Sequence, residues 1–133
     1  MKMEFLKKYN IWFIFLLIIC VVSRLTSSIY YIEDIDSMRF YFSAIDYDVL
    51  NNCPHFPGYP LYCLILKCFY VLTNSLELSF SIIGGLSIFL IIYFSTSCYQ
   101  LLFQESNHSW CLSLLLLFNP LLWLMSNRYM PDI

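Results

Sequence analysis

Charged residues are scarce in this sequence. Only 12% of its 133 residues are Asp, Glu, Lys or Arg, whereas 60% are hydrophobic. A soluble domain of this length needs more charge to cover its surface, so the composition excludes an ordinary soluble globular protein. The seven basic residues also form no stripe, which excludes a nucleic-acid-binding surface.

Metal-binding motifs are missing too. The six cysteines are scattered without a C-x-x-C pair, and most lie inside apolar runs, where cysteine behaves as a small hydrophobic residue. We therefore expect them to pack in the core and expect no metal centre among them. The sequence implies no cofactor, and a divalent metal is possible at its acidic residues without being indicated by their spacing.

Long apolar runs are what the sequence has in abundance. Runs at about 10–25, 79–103 and 109–126 have the length of membrane-crossing helices, the last with a kink expected at Asn119-Pro120. The sequence thus predicts an all-α, polytopic membrane protein. Lys2, Lys7 and Lys8 precede the first run and place the amino terminus in the cytoplasm. A signal peptide is the alternative for this run, but no A-x-A-like cleavage site follows it.

One polar stretch, 26–57, lies within the expected external loop 26–74. It is acidic, with a single base, Arg39, and a shortage of basic residues is typical of a non-cytoplasmic loop. Within it, 36–50 predicts an amphipathic helix lying at the membrane interface. Its expected apolar face consists of Met38, Phe42, Ile45 and Val49, and its expected polar face consists of Asp36, Arg39, Ser43 and Asp46.

The apolar segment 58–73 is short and contains Lys67, so a span and a second interfacial helix are both open. The choice decides where the end of the sequence lies. If 58–73 crosses the membrane, Asp132 is cytoplasmic, and if it stays at the interface, Asp132 lies on the same side as Asp36.

Three groups of polar residues are candidates for chemistry. The first is the acidic cluster 33–36, because a carboxylate at the start of an interfacial helix can act as a base. The alternative is a solvated loop, favoured at a helix amino terminus by the helix dipole. The second is His55, which can bind a phosphate or share a proton with a carboxylate, or is simply a surface histidine. The prolines around it predict a rigid, extended entry to the next helix. The third is Arg128 with Asp132.

Taken in order, a basic start, one span, Asp36-Ser37-x-Arg39 and then His55-Phe-Pro-Gly-Tyr-Pro-Leu-Tyr62 resemble the opening of a GT-C-type membrane glycosyltransferase. Protein O-mannosyltransferases and aminoarabinose transferases are the relatives that this order is most similar to. The chain departs from their pattern at Ser37, where many have Glu, and at Phe56, where the double-proline form has Pro.

The resemblance implies a function and a location. A sugar would pass from a polyprenyl-phosphate donor to a hydroxyl of a protein, lipid or glycan acceptor at the external face of a membrane, with a bacterial inner membrane favoured over the endoplasmic reticulum. It implies catalytic roles for Asp36 and Asp132, and substrate binding by Arg39, His55 and Asp34. It also implies that residues 1–133 are an amino-terminal part of a larger enzyme, inactive alone. A transporter fragment and a non-catalytic membrane subunit are the alternatives.

Overall fold

The structure, a computed structural model, describes residues 2–103 and 109–131, with side chains described from Ile11 onward. Within these ranges the chain forms six α-helices and one short 3-10 helix and contains no strand, which confirms the all-α prediction. The helices are α1 (Lys2–Thr26), α2 (Ile35–Ile45), α3 (Pro60–Thr73), α4 (Leu76–Phe103), α5 (Ser109–Leu117) and α6 (Pro120–Met125), and the 3-10 helix is Val49–Asn51.

Helices α1 and α4 form an antiparallel pair. The ring of Phe13 lies 4.9 Å from that of Tyr93, while the backbone at Cys20 and Val21 lies against Gly85. Gly85 permits this close approach, since a Cβ there would lie 2.9 Å from the Cα of Val21. The buried side chains between the helices, joined by one from α5, are Leu16, Cys20, Ile88, Ile92 and Leu117.

Helix α4 alone among the described residues is long and apolar enough to cross a membrane. Its 28 residues extend about 42 Å, more than the roughly 30 Å of a hydrocarbon core. The described apolar part of α1, Ile11–Thr26, is shorter. Helix α3, with 14 residues, extends only about 21 Å, so its length favours the interfacial alternative for 58–73.

The predicted kink at Asn119-Pro120 is a complete break between α5 and α6. The side chain of Asn119 accepts a hydrogen bond from the Leu121 N–H at 2.9 Å and caps α6, and Pro120 occupies its first turn. The indole N–H of Trp123 donates to the Leu117 carbonyl at 2.7 Å. The break thus gives partners to the Leu121 N–H and the Leu117 carbonyl, as an apolar environment requires.

Helices α5 and α6 return along α4. Leu117 packs with Ile88 and Ile92, and the Ser126 carbonyl lies directly against Gly84. The end of α6 therefore reaches the first half of α4, beside the end of α1. We call this the loop end of the bundle, because α2 and α3 also gather there. Its buried core consists of Phe40, Ala44, Cys63, Leu66, Leu76, Phe80, Ile83 and Tyr129.

Helix α2 differs from its prediction in length and in the placement of Ser43. It ends at Ile45 rather than near 50, because the Asp48 side chain accepts from the backbone of Leu50 and Asn51 and starts the 3-10 helix instead. The expected apolar face is largely exposed: Met38 is 39%, Phe42 47% and Ile45 51% accessible.

The buried face of α2 consists of Ser37, Phe40, Ser43 and Ala44, so the assignment of Ser43 to the polar face was wrong. Ser43 is small enough for α2 to approach α3 closely, and its hydroxyl lies 3.4 Å from the Cys63 sulfur. The same hydroxyl donates to the Phe40 carbonyl at 2.8 Å, which satisfies it inside the core.

Candidate functional site

Asp34 begins helix α2. Its backbone is extended, and its Oδ1 accepts from the Ser37 N–H at 2.7 Å, while its carbonyl accepts from Met38 at 3.1 Å. This is an amino-terminal cap, which satisfies a donor that the helix itself cannot. The cap fixes the first turn of α2 and thereby the position of Asp36. Asp34 thus has a structural role, and its predicted contact with a substrate stays a prediction.

Asp36, Arg39 and His55 lie together, and we call them the Asp36 cluster. Arg39 Nη1 donates to Asp36 Oδ1 at 3.0 Å, one helical turn away, and His55 Nδ1 lies 3.7 Å from the same oxygen. The Asp36 side chain is 48% exposed, and those of Arg39 and His55 are 36% and 31% exposed. The carboxylate is therefore flanked by two nitrogen groups and still open to an incoming molecule.

Aromatic rings hold His55 in place. The rings of Phe40 and Tyr59 lie 5.5 Å and 5.9 Å from the imidazole, both edge to face. The Gly58 N–H donates to the His55 carbonyl at 2.9 Å, and Gly58 has φ +88°, so the proline-rich segment turns here instead of running extended as predicted. The turn aims the imidazole at Asp36.

His55 Nδ1 is buried and has no hydrogen-bond partner among the described residues. Its distance of 3.7 Å from Asp36 Oδ1 is just beyond a hydrogen bond, so a closure of less than 1 Å would join the two. Asp36 and His55 thus lie within a small side-chain movement of a hydrogen bond.

The other carboxylates of the loop have local structural roles or lie apart. Asp48 caps the 3-10 helix and also accepts from the Asn51 side chain at 2.5 Å. Asp46 is exposed at the end of α2. It caps the helix through its backbone N–H, which donates to the Phe42 carbonyl, and not through its side chain. Among the loop acids, Asp36 is the one that faces His55.

The segment Asn127, Arg128 and Tyr129 fastens the end of α6 to the acidic loop, and we call it the clasp. Arg128 donates to Glu33 at 3.0 Å and to Asp34 at 2.7 Å. On either side of it, Asn127 donates to the Ser27 carbonyl and hydroxyl, and the Tyr129 hydroxyl donates to the Ile29 carbonyl. The sequence indicated Arg128 as a candidate, but not its partners, because no local spacing links 128 to 33 and 34.

Two groups at the clasp, Asp34 and Tyr129, have shifted pKa values. Burial works to raise the pKa of Asp34, but hydrogen bonds from Ser37 and the charge of Arg128 outweigh it and hold that pKa below its ordinary value. Burial, reinforced by Glu77 and neighbouring tyrosines, raises the pKa of Tyr129 to about 12. Asp34 is therefore held ionised and Tyr129 neutral at physiological pH.

Arg24 is a buried base that sequence reasoning missed. Its side chain is fully buried, its guanidinium lies 3.7 Å from the centre of the Trp123 ring, and its Nε and Nη1 have no hydrogen-bond partner among the described residues. The signal for it was available, since an arginine inside an apolar run is costly unless a neighbour shields it. Here the indole face supplies a cation–π contact.

The structure thus brings three of the five predicted site residues into one cluster and places a fourth, Asp34, two residues away as the helix cap. The fifth, Asp132, lies outside the described residues. Arg128, four residues before it, lies against the acidic loop. Comparison of the chain with known protein families, known proteins and solved structures gives no match.

Across residues 2–103 and 109–131 the protein is thus helical, has one helix long and apolar enough to cross a membrane, and carries the Asp36 cluster at one end of the bundle.

Proposed function

We propose that this chain carries the acceptor-activating site of a membrane glycosyltransferase that uses a polyprenyl-phosphate sugar as donor. The observation that carries the proposal is the convergence of Asp36, Arg39 and His55 from two separate motifs on one half-exposed carboxylate. The sequence resemblance joins the same two motifs, and the contacts between them support reading them as one site.

In this proposal the chain crosses the membrane three times, through α1, through α4 and through α5 with α6. The loop end then lies on the non-cytoplasmic side, since the basic residues before α1 stay in the cytoplasm. The exposed apolar side chains of α2, Met38, Phe42 and Ile45, fit an interfacial helix whose apolar face enters the acyl boundary. A bacterial inner membrane is the setting that the resemblance favours.

The chemical step assigned to Asp36 is general base catalysis. The acceptor hydroxyl oxygen attacks the anomeric carbon and forms the new C–O bond, while the bond from that carbon to the lipid phosphate oxygen breaks. The electron pair of the broken bond leaves with the polyprenyl phosphate, and the proton of the hydroxyl passes to Asp36. A single displacement of this kind inverts the configuration at the anomeric carbon, as in inverting glycosidases.

The neighbours of Asp36 have complementary roles. Arg39 holds the carboxylate in one orientation through a charge-assisted hydrogen bond of 3.0 Å. His55, whose Nδ1 faces Asp36 and has no other partner in the described part of the chain, is placed to donate to that carboxylate, and the resemblance puts it near the phosphate of the donor. Asp132 is the second carboxylate that the resemblance implies, and no divalent metal is needed for the step as written.

The alternative that a specific observation favours is a non-catalytic membrane subunit. An Asp–Arg pair one turn apart on a helix, as Asp36 and Arg39 are, is also a common surface stabiliser. This alternative predicts that the chain binds no donor and that the cluster affects stability only.

The proposal places the activity in a full-length form that carries this chain, with residues 1–133 inactive alone. The test is transfer in sealed membrane vesicles of known orientation that contain this full-length form as it is expressed in its native membrane. A short-chain polyprenyl-phosphate hexose, labelled in the sugar, is supplied from one side at a time. We expect free polyprenyl phosphate and an inverted glycoside to form in equal amounts on the non-cytoplasmic side. A retained configuration, or transfer only on the cytoplasmic side, would contradict the proposal, and absence of donor consumption would favour the non-catalytic subunit.

A further inference from the structure

We infer that Arg128 is a positioning residue for Asp36 and acts on it through the cap of helix α2. The kinetic part of this inference rests on the proposed function, whereas its structural part rests on contacts alone. The two parts can therefore fail separately.

The two oxygens of Asp34 face in different directions and serve different partners. Oδ1 accepts from the Ser37 N–H at 2.7 Å and caps α2, and Oδ2 accepts from Arg128 Nη2 at 2.7 Å. The pair with Arg128 therefore fixes the rotamer that the cap needs. A cap carboxylate without this partner has its second oxygen free and can turn away from the helix.

Glu33 adds a second anchor to Arg128. The Nε of Arg128 donates to Glu33 Oε2 at 3.0 Å, so one guanidinium joins two consecutive acidic residues. A rigid, planar guanidinium suits this arrangement, since its donors leave it at fixed angles and cannot rotate separately. The chain is thereby held at the point where it enters α2.

The residues on both sides of Arg128 keep its backbone in place. Asn127 donates to the Ser27 carbonyl at 2.9 Å, and the Tyr129 ring stacks on Phe80 with centroids 4.5 Å apart. Tyr129 is 4% exposed and its ring also lies 6.3 Å from that of Tyr41 on α2. The clasp is thus built into the core of the loop end and is not an isolated surface ion pair.

Asp36 lies in the first turn that this cap closes, and its distance from His55 depends on that turn. Loss of the cap frays the first turn of a helix, which would move Asp36 relative to His55, because His55 is held separately by Tyr59 and the turn at Gly58. A displacement of this size at a reacting group lowers the rate of the chemical step more than it weakens binding.

Two substitutions separate the cap from the ion pair. Asp34→Asn retains a capping side chain of equal strength but removes the charge that Arg128 binds. Arg128→Gln removes the positive charge that binds Asp34 and Glu33. The double variant Asp34→Asn with Arg128→Gln completes a cycle, Arg128→Lys tests rescue, and Lys67→Gln, on the exposed side of α3, is the charge-matched control.

The structural readout is amide hydrogen exchange of the peptide 35–40 in the membrane-embedded protein. We expect Arg128→Gln to speed this exchange about fivefold, which is the factor by which loss of one helix cap shifts the opening equilibrium of the first turn. Adding Arg128→Gln to Asp34→Asn should change the exchange rate little further, and Lys67→Gln should leave the exchange rate unchanged. Equal exchange in wild type and Arg128→Gln would overturn the inference, whether or not the protein transfers sugar.

The kinetic readout uses the polyprenyl-phosphate hexose described above. Positioning predicts that Arg128→Gln lowers kcat about tenfold with an unchanged KM for the donor, and that Arg128→Lys, which keeps the charge but not the planar fork, restores only part of the loss. A raised donor KM with unchanged kcat would show direct contact between Arg128 and the donor phosphate and would overturn the positioning role. If wild type consumes no donor, the proposed function fails while the exchange experiment still decides the clasp.

Discussion

Gly84 is the position where a single added carbon should disturb both the bundle and the site. A Cβ built there would lie 1.8 Å from the carbonyl oxygen of Ser126 and 2.8 Å from its carbon. Since real Cβ atoms are essentially never closer than 3.0 Å, the Ser126 peptide must retreat by about 1.2 Å. The obstacle is backbone, so no side chain can swing aside, and the clasp that follows directly at Asn127 must move with it.

The expected size of the Gly84→Ala effect comes from two opposing contributions. Alanine in a helix interior is favoured over glycine by about 1 kcal/mol. Overpacking of a close contact costs about 1–3 kcal/mol, and more when backbone has to shift. We expect a net loss of about 2 kcal/mol, and thus a melting temperature in detergent lower by about 5–10 °C.

The assay combines thermal unfolding with hydrogen exchange of the peptide 35–40, whose first turn the clasp holds through the Asp34 cap. Ser87→Ala is the matched control, one turn further along α4 and partly exposed. We expect faster exchange at 35–40 in Gly84→Ala only. If Gly84→Ala were as stable as wild type, or more stable by the helix-propensity gain, the close packing of α6 on α4 would be refuted.

Two predictions concern pH. The raised pKa of Tyr129 means that its contribution to stability is complete below about pH 10, the ordinary tyrosine value, and is lost as the pH rises toward 12. Tyr129→Phe keeps the ring on Phe80, so its alkaline unfolding curve should lack this loss, and equal slopes would contradict the assignment. The lowered pKa of Asp34 means that its contribution is complete above about pH 4 and is lost as the pH falls through the folded-state value. In acid titration by circular dichroism, Asp34→Asn should be less pH-dependent than wild type, and an unchanged acid midpoint would count against the ion pair.

The sequence predicted the helical class and the position of the longest helix, because apolar length and periodicity are local properties. It also predicted that Asp36, Arg39 and His55 belong together, though on different grounds. The spacing of Asp36 and Arg39 follows from helix geometry, whereas His55 was expected beside the acidic loop from the proline-rich segment and was joined to Asp36 by the resemblance. The turn at Gly58, which brings the imidazole over, depends on a positive φ that the proline pattern does not specify.

The contacts that could not be predicted are those between distant segments. Apolar periodicity assigned Phe42 to a face of α2 that enters the membrane interface, but it did not predict that packing on α3 buries a different face, with Phe40 and small serines. The fit between helices, not hydrophobicity alone, decides which face is buried. The pairing of Arg128 with Glu33 and Asp34 likewise depends on α5 and α6 returning along α4, a tertiary property.

The most direct test of the central claim is the rate of sugar transfer by Asp36→Asn at saturating donor. Asparagine keeps the size of the side chain but cannot accept the proton, so we expect a fall of about a hundredfold or more. Asp46→Asn, an exposed acid at the other end of the same helix, is the control and should stay within about twofold of wild type. Transfer by Asp36→Asn at the rate of that control would contradict the assignment of Asp36 as the general base.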